Sequence, residues 1–599
     1  MEHFEKLLIK SKSQNTLSLI AEDESEISDP RLVAEQFNNY FADAVKCLSE
    51  NSINDQPQIY ENESEDENES DQSLERNPGL GNVFELPFIT NQFVVNEIKK
   101  LGLKKATGPD DISCRLFKVV ADLPFLLDSL TYIYNLSLSS GIVPEAWKIA
   151  RIQPIHKSGN KNAVENYRPI SLLCIPSKIL EKAVHKHLYD FLISNQKLCD
   201  NQFGFRPGLS CETALLSLID VLAHNVDEGR VNGIAFVDLR KAFDSVDHEV
   251  LLRKLSLCGC SEHSVQWFRS YLNERSQFVS VKGVSSHNRE VSTGVPQGSV
   301  LGPLLFIIVM NDLPASISNG KLFMYADDVI LVVSDATTQI INDKLNIFMA
   351  ELHNWLLKNK LILNVQKTKV MLVGSHQRIR TLGDPTLRVS VTGQTIECVS
   401  LFKCLGVTFD NNLTFKKHIE NISLIIKQKL GIVRRLRNIL SREHLKQLYW
   451  GYVLPHALYC CNTFSKRSQY NCEVLSKLHK RAAYIISRHS WETPSQQVFN
   501  ELKWPSLKEL LDRAMACLVF KCIHNVSALN VTNGFVFLDE VSQRNTRSSN
   551  KRLLKSYRCS TDFYQNTFVI AGIQLWNNLT LCARCSGSIM EFKREIKKI

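Results

Sequence analysis

The grouping of apolar and polar residues is clearest at residues 322–333, which have the sequence LFMYADDVILVV. Two apolar runs rich in strand-forming residues enclose Tyr325, Ala326, Asp327 and Asp328. This pattern predicts a β-hairpin that carries two carboxylates at its tip. Adjacent aspartates are unfavourable among strands because they repel each other unless a cation lies between them. The segment fits either a metal-binding hairpin or an ordinary tight turn, in which Asp-Asp is common.

A third carboxylate follows another apolar run. Residues 234–248 have the sequence IAFVDLRKAFDSVDH, which predicts a short strand that ends at Asp238 and a helix-like segment after it. Mg²⁺ prefers oxygen ligands and usually takes one or two carboxylates together with substrate phosphates. Asp238 and Asp327 on neighbouring strands would supply such a site, with Asp328 close by. Two ions about 4 Å apart would activate a hydroxyl and hold a departing pyrophosphate.

Other apolar periodicities predict the surrounding scaffold. The spacing of Val33, Phe37, Tyr40 and Phe41 predicts a helix over 29–44. A strand, a turn at 166–169 and a second strand are expected between 147 and 173. A helix over 177–193, with Ser177 as its N-cap, should follow. A further helix is predicted over 336–358.

Charge divides the chain into an acidic leader and a basic remainder. The net charge is +9, yet residues 1–90 hold 20 acids and 6 bases, so residues 91–599 carry 42 acids and 65 bases. A strongly basic body attracts polyphosphate partners in a salt-dependent way, although charge also serves solubility. Residues 59–76 (IYENESEDENESDQSLER) cannot bury enough apolar area to fold, so a disordered linker is predicted there.

Basic residues are most concentrated at 427–446, where seven Lys or Arg residues accompany Glu443 as the single acid. An apolar stripe runs through the same segment, at Leu430, Val433, Leu436 and Leu440. The combination predicts a helix that buries one face and offers the other to a nucleic-acid backbone, or else an ordinary solvated face on a helical bundle. A second helix of this kind is expected over 474–487.

Length and composition set the class of protein. A chain of 599 residues with 44% hydrophobic content can form several domains. No apolar run approaches 18 residues, and the N-terminus lacks the apolar core of a signal peptide. Seventeen irregularly spaced cysteines predict reduced thiols and a location in the nucleus or cytoplasm rather than secretion. Cys582 and Cys585 form one C-x-x-C without a second pair at zinc-finger spacing, so no zinc site is predicted.

The motifs, taken in order, resemble the reverse transcriptases of non-LTR, LINE-like retrotransposons, most of all those of the jockey and CR1 type. The resemblance extends from about Phe88 to the C-terminus, and eight blocks in the family's order do not arise by chance. They are GPDDISCRLFK (108–118), PIHKSGNKNAVENYRPISLL (154–173), NQFGFRPGLSCETAL (201–215), FVDLRKAFDSVDH (236–248), GVPQGSVLGPLLF (294–306), YADD (325–328), LNVQKTKVM (363–371) and FKCLGVTFD (402–410).

The resemblance implies an α+β, right-hand polymerase that adds deoxynucleotides to a primer 3′-hydroxyl on an RNA template, with nicked target DNA as the primer. Two Mg²⁺ ions, which Mn²⁺ can replace, would be held by Asp238, Asp327, Asp328 and the Leu239 carbonyl. The expected divisions are a helical leader (1–50), an acidic linker (51–87), a pre-fingers extension (88–136), fingers and palm (137–410), a basic helical thumb (411–495) and a C-terminal region (496–599).

The same resemblance assigns candidate nucleotide contacts. Lys157 and Arg168 would neutralise triphosphate oxygens. Phe243 lies where the family has a ring that excludes a ribose 2′-hydroxyl, although it also fits core packing. Gln297 would touch the template or the base, and Gly298 allows close backbone approach. Lys367 would protonate pyrophosphate or support the palm. Tyr325 and Ala326 complete the set, while Asp244 and Asp247 are expected to be helix-start or surface carboxylates.

Candidate template and primer contacts come from the same source. Arg206 would contact a template phosphate or have a structural role. Leu405 and Gly406 lie where the family has its primer grip. Arg434, Arg435 and Arg437 of the basic helix would contact the backbone of an A-form hybrid.

Two aspects of the function stay open at the level of sequence. The family's upstream endonuclease would need a domain of about 100 to 200 residues, and the leader has no room for it, so we expect the polymerase part of an element. The alternative is a catalytically silent nucleic-acid-binding remnant held together by the basic thumb. An intron-type maturase is a third possibility, against which the family-typical C-terminal region argues.

Overall fold

The computed structural model describes residues 18–20, 26–43, 82–121, 123–466, 468–524, 534–541 and 552–597. The predicted acidic linker at 59–76 lies outside the described residues. The strands are β1 Leu19–Ile20, β2 Glu26–Ile27, β3 Ile149–His156, β4 Tyr167–Leu172, β5 Val231–Val237, β6 Arg275–Val281, β7 Val284–Ser285, β8 Arg289–Val291, β9 Lys321–Tyr325, β10 Asp328–Asp335, β11 Lys369–Val373, β12 Val389–Val391, β13 Gln394–Cys398, β14 Leu401–Cys404 and β15 Val407–Asp410.

The helices, also numbered in chain order, mix with these strands in an α+β chain. They are α1 Pro30–Asp43, α2 Asn91–Lys99, α3 Cys114–Val120, α4 Pro124–Ser140, α5 Ile175–Ser194, α6 Cys211–Asp227, α7 His248–Leu257, α8 Glu262–Leu272, α9 Gly302–Val309, α10 Thr338–Lys358, α11 His376–Thr381, α12 Lys416–Leu436, α13 Arg442–Leu448, α14 Pro455–Leu458, α15 Cys461–Phe464, α16 Gln469–Ser487, α17 Ser495–Leu502, α18 Leu507–Ile523, α19 Leu538–Val541, α20 Asp562–Gln565, α21 Phe568–Asn577, α22 Leu581–Arg584 and α23 Ile589–Glu595.

The first compact unit comprises the described residues within 1–199, 240–312 and 356–362. Its sheet has the order β4-β3-β6-β7, with β8 also paired to β6. Every second residue of β6 is buried, as expected for a strand with one face against a core. Helix α1 covers that core with Val33, Ala34 and Phe37, so the helix predicted over 29–44 is confirmed.

A buried carboxylate anchors the segment that precedes α9. Glu181 lies on α5 with 1% of its surface exposed. Its Oε2 accepts hydrogen bonds from the amides of Val300, at 2.6 Å, and Leu301, at 3.2 Å. These two amides belong to the N-cap of α9, Leu301, and to the residue before it, so the carboxylate binds the chain where the helix begins. The segment that carries Gln297 is thereby fixed at its C-terminal end.

The second unit comprises the described residues within 200–239, 313–355 and 363–599. Its six-stranded sheet has the order β12-β13-β11-β5-β10-β9. Strand β5 is buried along its whole length, and it pairs antiparallel with β10 on one side and β11 on the other. The hairpin and the strand before Asp238 predicted from the sequence are therefore both confirmed.

Helices make up most of the remainder of the second unit. The predicted apolar stripe of α12 is buried in one core with the inner face of α16, through Leu430, Val433 and Leu436. A separate core holds α18, α21 and α23 around Trp576 and Phe592. No helix in the described part of the chain is long and apolar enough to cross a membrane.

Three predicted boundaries are wrong. Helix α5 begins at Ile175 with Cys174 as N-cap, and Ser177 lies inside it, where its hydroxyl hydrogen-bonds to buried Glu181. Residues 167–169 belong to strand β4 rather than to a turn. The basic segment 427–446 is two helices, because α12 ends at Leu436 and Ser441 caps α13 by accepting a hydrogen bond from the His444 amide.

Candidate active site

The hairpin of β9 and β10 turns through two residues. Tyr325 pairs with Asp328, which leaves Ala326 and Asp327 as the connection. Ala326 has φ +57°, while Asp327 is not among the residues with positive φ. A positive φ at the first central position alone is the pattern of a type II′ turn, which suits the right-handed twist of a hairpin. The turn holds Asp327 half-buried and Asp328 exposed.

A neighbouring segment supports this turn from one side. The buried Gln202 side chain accepts a hydrogen bond from the Ala326 amide at 2.9 Å, and the Ala326 carbonyl accepts one from the Gln202 amide at 3.4 Å. Gly204 permits the approach, because a Cβ at that position would lie 2.4 Å from the Ala326 nitrogen. Gln202 and Gly204 were not predicted from the sequence, although both belong to the NQFGFRPG motif.

Strand register relates two of the three candidate carboxylates. Val237 is the partner of Val329 in the antiparallel ladder of β5 and β10. One step further along that register, Asp238 stands opposite Asp328, and opposed residues in antiparallel strands lie about 5 Å apart. Asp327 follows in the turn. The catalytic roles of Asp238, Asp327 and Asp328 stay predictions that this register favours.

Asp238 is held in place by the segment before β11. The Asn364 side-chain amide donates to Asp238 Oδ2 at 2.9 Å, and the Asn364 backbone amide donates to the Asp238 carbonyl at 2.9 Å. The hydroxyl of Thr368 accepts a hydrogen bond from the Asp238 amide at 3.3 Å. Asn364 and Thr368 are both buried. Leu239, the next residue, forms an isolated bridge with Leu363.

The donor set at this position consists of hard oxygen atoms. Among the described residues, no group of three or more His, Cys, Asp or Glu side chains is arranged to hold a metal ion by itself. Mg²⁺ usually takes only one or two carboxylates and completes its shell with substrate phosphates and water. The facing pair Asp238 and Asp328 fits an ion of that kind, and metal ligation by Asp327 and the Leu239 carbonyl stays a prediction.

Tyr325 lies at the base of the turn beside cysteine thiols. A hydrogen bond to Cys211, together with burial, raises the pKa of Tyr325 to about 12. Burial and the charge of Asp328 raise the pKa of the Cys404 thiol. Both groups are therefore neutral at physiological pH.

The predicted primer-grip residues form a tight turn between β14 and β15. Leu405 has φ +44° and Gly406 has φ +85°, and positive φ at both central residues is typical of a type I′ turn. The hydroxyl of Tyr459 donates to the Leu405 carbonyl at 2.9 Å. A Cβ on Gly406 would lie 2.9 Å from the Tyr459 ring. A primer contact of this turn stays a prediction.

Five of the nucleotide-contact candidates lie in the first unit. Lys157 and Arg168 are exposed at the facing ends of the β3–β4 hairpin. The Phe243 ring stacks on Phe306 with centroids 4.2 Å apart, which supports the packing interpretation and leaves the exclusion of ribose a prediction. Gly298 has φ +122°, and a Cβ there would lie 2.5 Å from the Ser171 carbonyl.

Gln297 is held by a carboxylate that the sequence analysis placed at the surface. Its side-chain amide donates to Asp244 Oδ1 at 2.8 Å, and its carbonyl accepts a hydrogen bond from the Ser171 amide at 2.6 Å. Burial raises the pKa of Asp244 to about 6. The prediction of a helix-start or surface carboxylate was wrong for Asp244, because its side chain is half-buried, accepts the Gln297 hydrogen bond and lies before the N-cap Asp247. Gly294 packs on the Asp244 backbone, where a Cβ would lie 2.6 Å from the Asp244 carbonyl.

The segment after Asp238 also differs from the predicted helix. Residues 240–245 form turns, with Lys241 at φ +45°, and α7 begins only at His248. Asp247 is the N-cap of that helix and accepts a hydrogen bond from the Val250 amide, so the helix-start prediction for Asp247 is confirmed.

The remaining candidates lie in the second unit. Lys367 is exposed in the turn that begins at Asn364. Arg206 donates to the Gln202 carbonyl at 3.3 Å, which supports a structural role. Arg434 and Arg435 are exposed on α12. Arg437 ends that helix and donates to the Arg488 carbonyl at 3.3 Å. Contacts of these residues with nucleotide or nucleic acid stay predictions.

Comparison with known proteins identifies a matching family and several relatives of this chain. Residues 155–409 match the family described as Reverse transcriptase (RNA-dependent DNA polymerase). The chain is 31% identical over 432 residues to the probable RNA-directed DNA polymerase from transposon BS of Drosophila melanogaster. The aligned region covers 70% of this chain and 47% of that protein. It is 30% identical over 441 residues to the RNA-directed DNA polymerase from mobile element jockey of the same organism, at 71% and 47% coverage.

A third relative comes from another species of Drosophila. The jockey RNA-directed DNA polymerase of Drosophila funebris is 27% identical over 430 residues, or 70% of this chain and 46% of that protein. The chain spans about half the length of these curated relatives. The family match covers the carboxylate hairpin, Asp238, Gln297 and the β14–β15 turn. Residues 155–409 therefore form a reverse transcriptase domain, and the chain is related to the RNA-directed DNA polymerases of jockey-type mobile elements.

Proposed function

We propose that this chain extends a primer 3′-hydroxyl with deoxynucleotides, using RNA as template and divalent metal ions as cofactors. The observation that carries the proposal is the cross-strand register of Asp238 and Asp328, with Asn364 bonded to the Asp238 carboxylate. Two facing carboxylates at the ends of paired strands suit a metal ion that arrives with nucleotide phosphates. The relatives named above are RNA-directed DNA polymerases, which favours this chemistry over a binding remnant.

The chain's own residues would hold the metal ions and donate a proton. Asp238, Asp328 and Asp327 would hold Mg²⁺, or Mn²⁺ in its place, with the Leu239 carbonyl as a further oxygen ligand. Such ions lower the pKa of an attacking hydroxyl and neutralise charge on the leaving phosphates. Asn364 keeps Asp238 in one orientation. Lys367, which is exposed, would donate a proton toward pyrophosphate.

Basic, polar and apolar residues would together bind the nucleotide. Lys157 and Arg168 would neutralise the triphosphate, and Gln297 and Gly298 would face the base or backbone. The Phe243 ring would exclude a ribose 2′-hydroxyl by steric conflict. Tyr325 and Ala326 would line the site from the hairpin, since the neutral Tyr325 hydroxyl and the small Ala326 side chain add no charge next to the carboxylates.

In this proposal, the α+β chain is a right-hand polymerase. Residues 137–410 would form fingers and palm, with 88–136 before them, 411–495 would form the thumb, and 496–599 the C-terminal region. Arg206 would contact the template, and Leu405 and Gly406 the primer. Exposed Arg434 and Arg435 of α12, together with Arg437, would neutralise backbone phosphates, so binding should weaken steeply with salt.

Primer extension on poly(rA)/oligo(dT) with Mg²⁺ tests the proposal. Asp238→Asn and Asp327→Asn should each reduce incorporation at least about 100-fold, because a catalytic metal supplies several kcal/mol of transition-state stabilisation. Asp335→Asn is the matched control, because Asp335 ends the same strand β10 but bonds Lys344 at 2.8 Å. Incorporation by Asp238→Asn at the level of Asp335→Asn would contradict the proposal, and binding of hybrid without incorporation by the wild type would favour the remnant.

A further inference from the structure

Helix α1 lies outside the residues that match the reverse transcriptase family, yet it is built into the first unit. Asn38 is fully buried. Its side-chain amide donates to the His287 carbonyl at 2.8 Å, and its oxygen accepts a hydrogen bond from Gln277 at 3.2 Å. Polar groups that are buried and satisfied in this way specify one seating of a helix on its sheet. The register of α1 on the sheet is therefore fixed.

That seating brings the C-terminal turn of α1 to the residues around Gln297. The Lys241 ammonium lies over the Tyr40 ring, 4.1 Å from its centroid. Phe41 lines a small cavity together with Ser171, Asp244 and Gln297. Burial and the charges of Glu165 and Asp244 raise the pKa of Tyr40, so its ring is neutral and attracts the ammonium by its quadrupole.

A continuous set of contacts leads from Tyr40 to Gln297. Lys241 has a positive φ, and its carbonyl accepts a hydrogen bond from the Asp244 amide at 2.8 Å. The charge of Lys241 acts on the Asp244 carboxylate, which accepts the hydrogen bond from the Gln297 side chain at 2.8 Å. Displacement of Lys241 would therefore change the position and charge balance of the Asp244 side chain, which accepts the hydrogen bond from the Gln297 amide.

We propose that helix α1 is a positioning element of the nucleotide site, in which Tyr40 fixes Lys241, and Lys241 with Asp244 fixes Gln297. The inference rests on the proposed function in one respect, the contact of Gln297 with the incoming nucleotide. Tyr40 is a positioning residue rather than a catalytic one, because it acts through Lys241 and Asp244.

Substitution of Tyr40 in the full chain tests this. Tyr40→Leu keeps an apolar side chain but removes the ring, and Tyr40→Phe keeps the ring. We expect Tyr40→Leu to raise the KM for dTTP on poly(rA)/oligo(dT) about 3- to 10-fold, because the substitution removes the cation–π contact that holds Lys241. The kcat should stay within about twofold of the wild-type value. Tyr40→Phe should behave as wild type. Leu32→Ala, at an exposed position of the same helix, is the matched control.

A measurement independent of turnover separates the inference from the proposed function. Hydrogen exchange of the amides in 293–299 should accelerate in Tyr40→Leu but not in Tyr40→Phe or Leu32→Ala. Unchanged exchange and unchanged KM in Tyr40→Leu would overturn the inference even if the chain is an active polymerase. Accelerated exchange in a chain without polymerase activity would support the positioning role and contradict the proposed function.

Discussion

The hydrogen bond from Asn364 to Asp238 allows a sharp prediction about metal binding. Asn364→Leu keeps the approximate size of a buried side chain and leaves the backbone amide bonded to the Asp238 carbonyl. It removes the 2.9 Å bond to Asp238 Oδ2 and with it the restraint on the carboxylate rotamer. A hydrogen bond to a charged group contributes about 1.5 to 3 kcal/mol.

Part of that energy orients the carboxylate for the metal, so its loss should appear in metal affinity. Removal of residues that orient metal ligands typically costs about 10- to 100-fold in affinity or activity, which corresponds to about 1.4 to 2.7 kcal/mol. We therefore expect the Mg²⁺ concentration for half-maximal primer extension to rise about 10- to 100-fold in Asn364→Leu, with a lower kcat at saturating Mg²⁺.

The control for this prediction is another asparagine that joins two segments of the same unit. Asn346 donates to the Arg388 carbonyl at 3.0 Å and accepts a hydrogen bond from the Ser390 amide at 3.0 Å. Asn346→Leu should lower thermal stability without a change in the Mg²⁺ requirement. An unchanged Mg²⁺ requirement in Asn364→Leu, measured on protein shown to be folded, would refute the assignment of Asn364 as the residue that orients Asp238.

The parts of the site that sequence predicts correctly are those defined by local patterns. The apolar runs around Asp327 and before Asp238 determine strands whatever lies beside them, since a strand buried on both faces needs only a continuous apolar run. Ser441 also indicates a helix boundary, because an N-cap residue inside the basic segment marks the start of a new helix. The boundary was not predicted because the apolar stripe continues on both sides of the break.

The errors come from partners that lie outside the local pattern. Ser177 was a plausible N-cap, but its hydroxyl bonds Glu181 one helical turn further on, and Pro176 is compatible with an earlier helix start. Asp244 is of a residue type usual at the surface, but its carboxylate accepts a hydrogen bond from Gln297, which is distant in sequence. No periodicity in one sequence encodes such approaches. Asn364 and Gln202 escaped prediction for the same reason, because each acts on a strand end that other residues build.

Three further predictions follow from these distant contacts. Gly204→Ala places a Cβ 2.4 Å from the Ala326 nitrogen and should reduce primer extension more than 10-fold. Gly383→Ala is the control, because a Cβ there meets nothing within 4 Å, and it should have no effect. Equal activity of the two variants would contradict the support of the hairpin turn by residue 204. Tyr459→Phe loses the bond to the Leu405 carbonyl, worth about 1 kcal/mol, and should raise the KM for primer–template about fivefold without a change in the KM for dTTP. Asp244 gives a prediction in pH: its folded pKa of about 6 exceeds the ordinary 3.8, so the folded state retains a proton that the unfolded state releases, and the free energy of unfolding should fall as pH rises from about 4 to 6. The loss contributed by this group is at most about 3 kcal/mol and is complete about one pH unit above the folded pKa, and Asp244→Asn, which stays neutral and still accepts from Gln297, should lack it. Denaturant titrations of both proteins at pH 4.5 and 7.5 measure the difference, and identical pH dependence in the two would show that the Asp244 carboxylate is not desolvated in the folded chain.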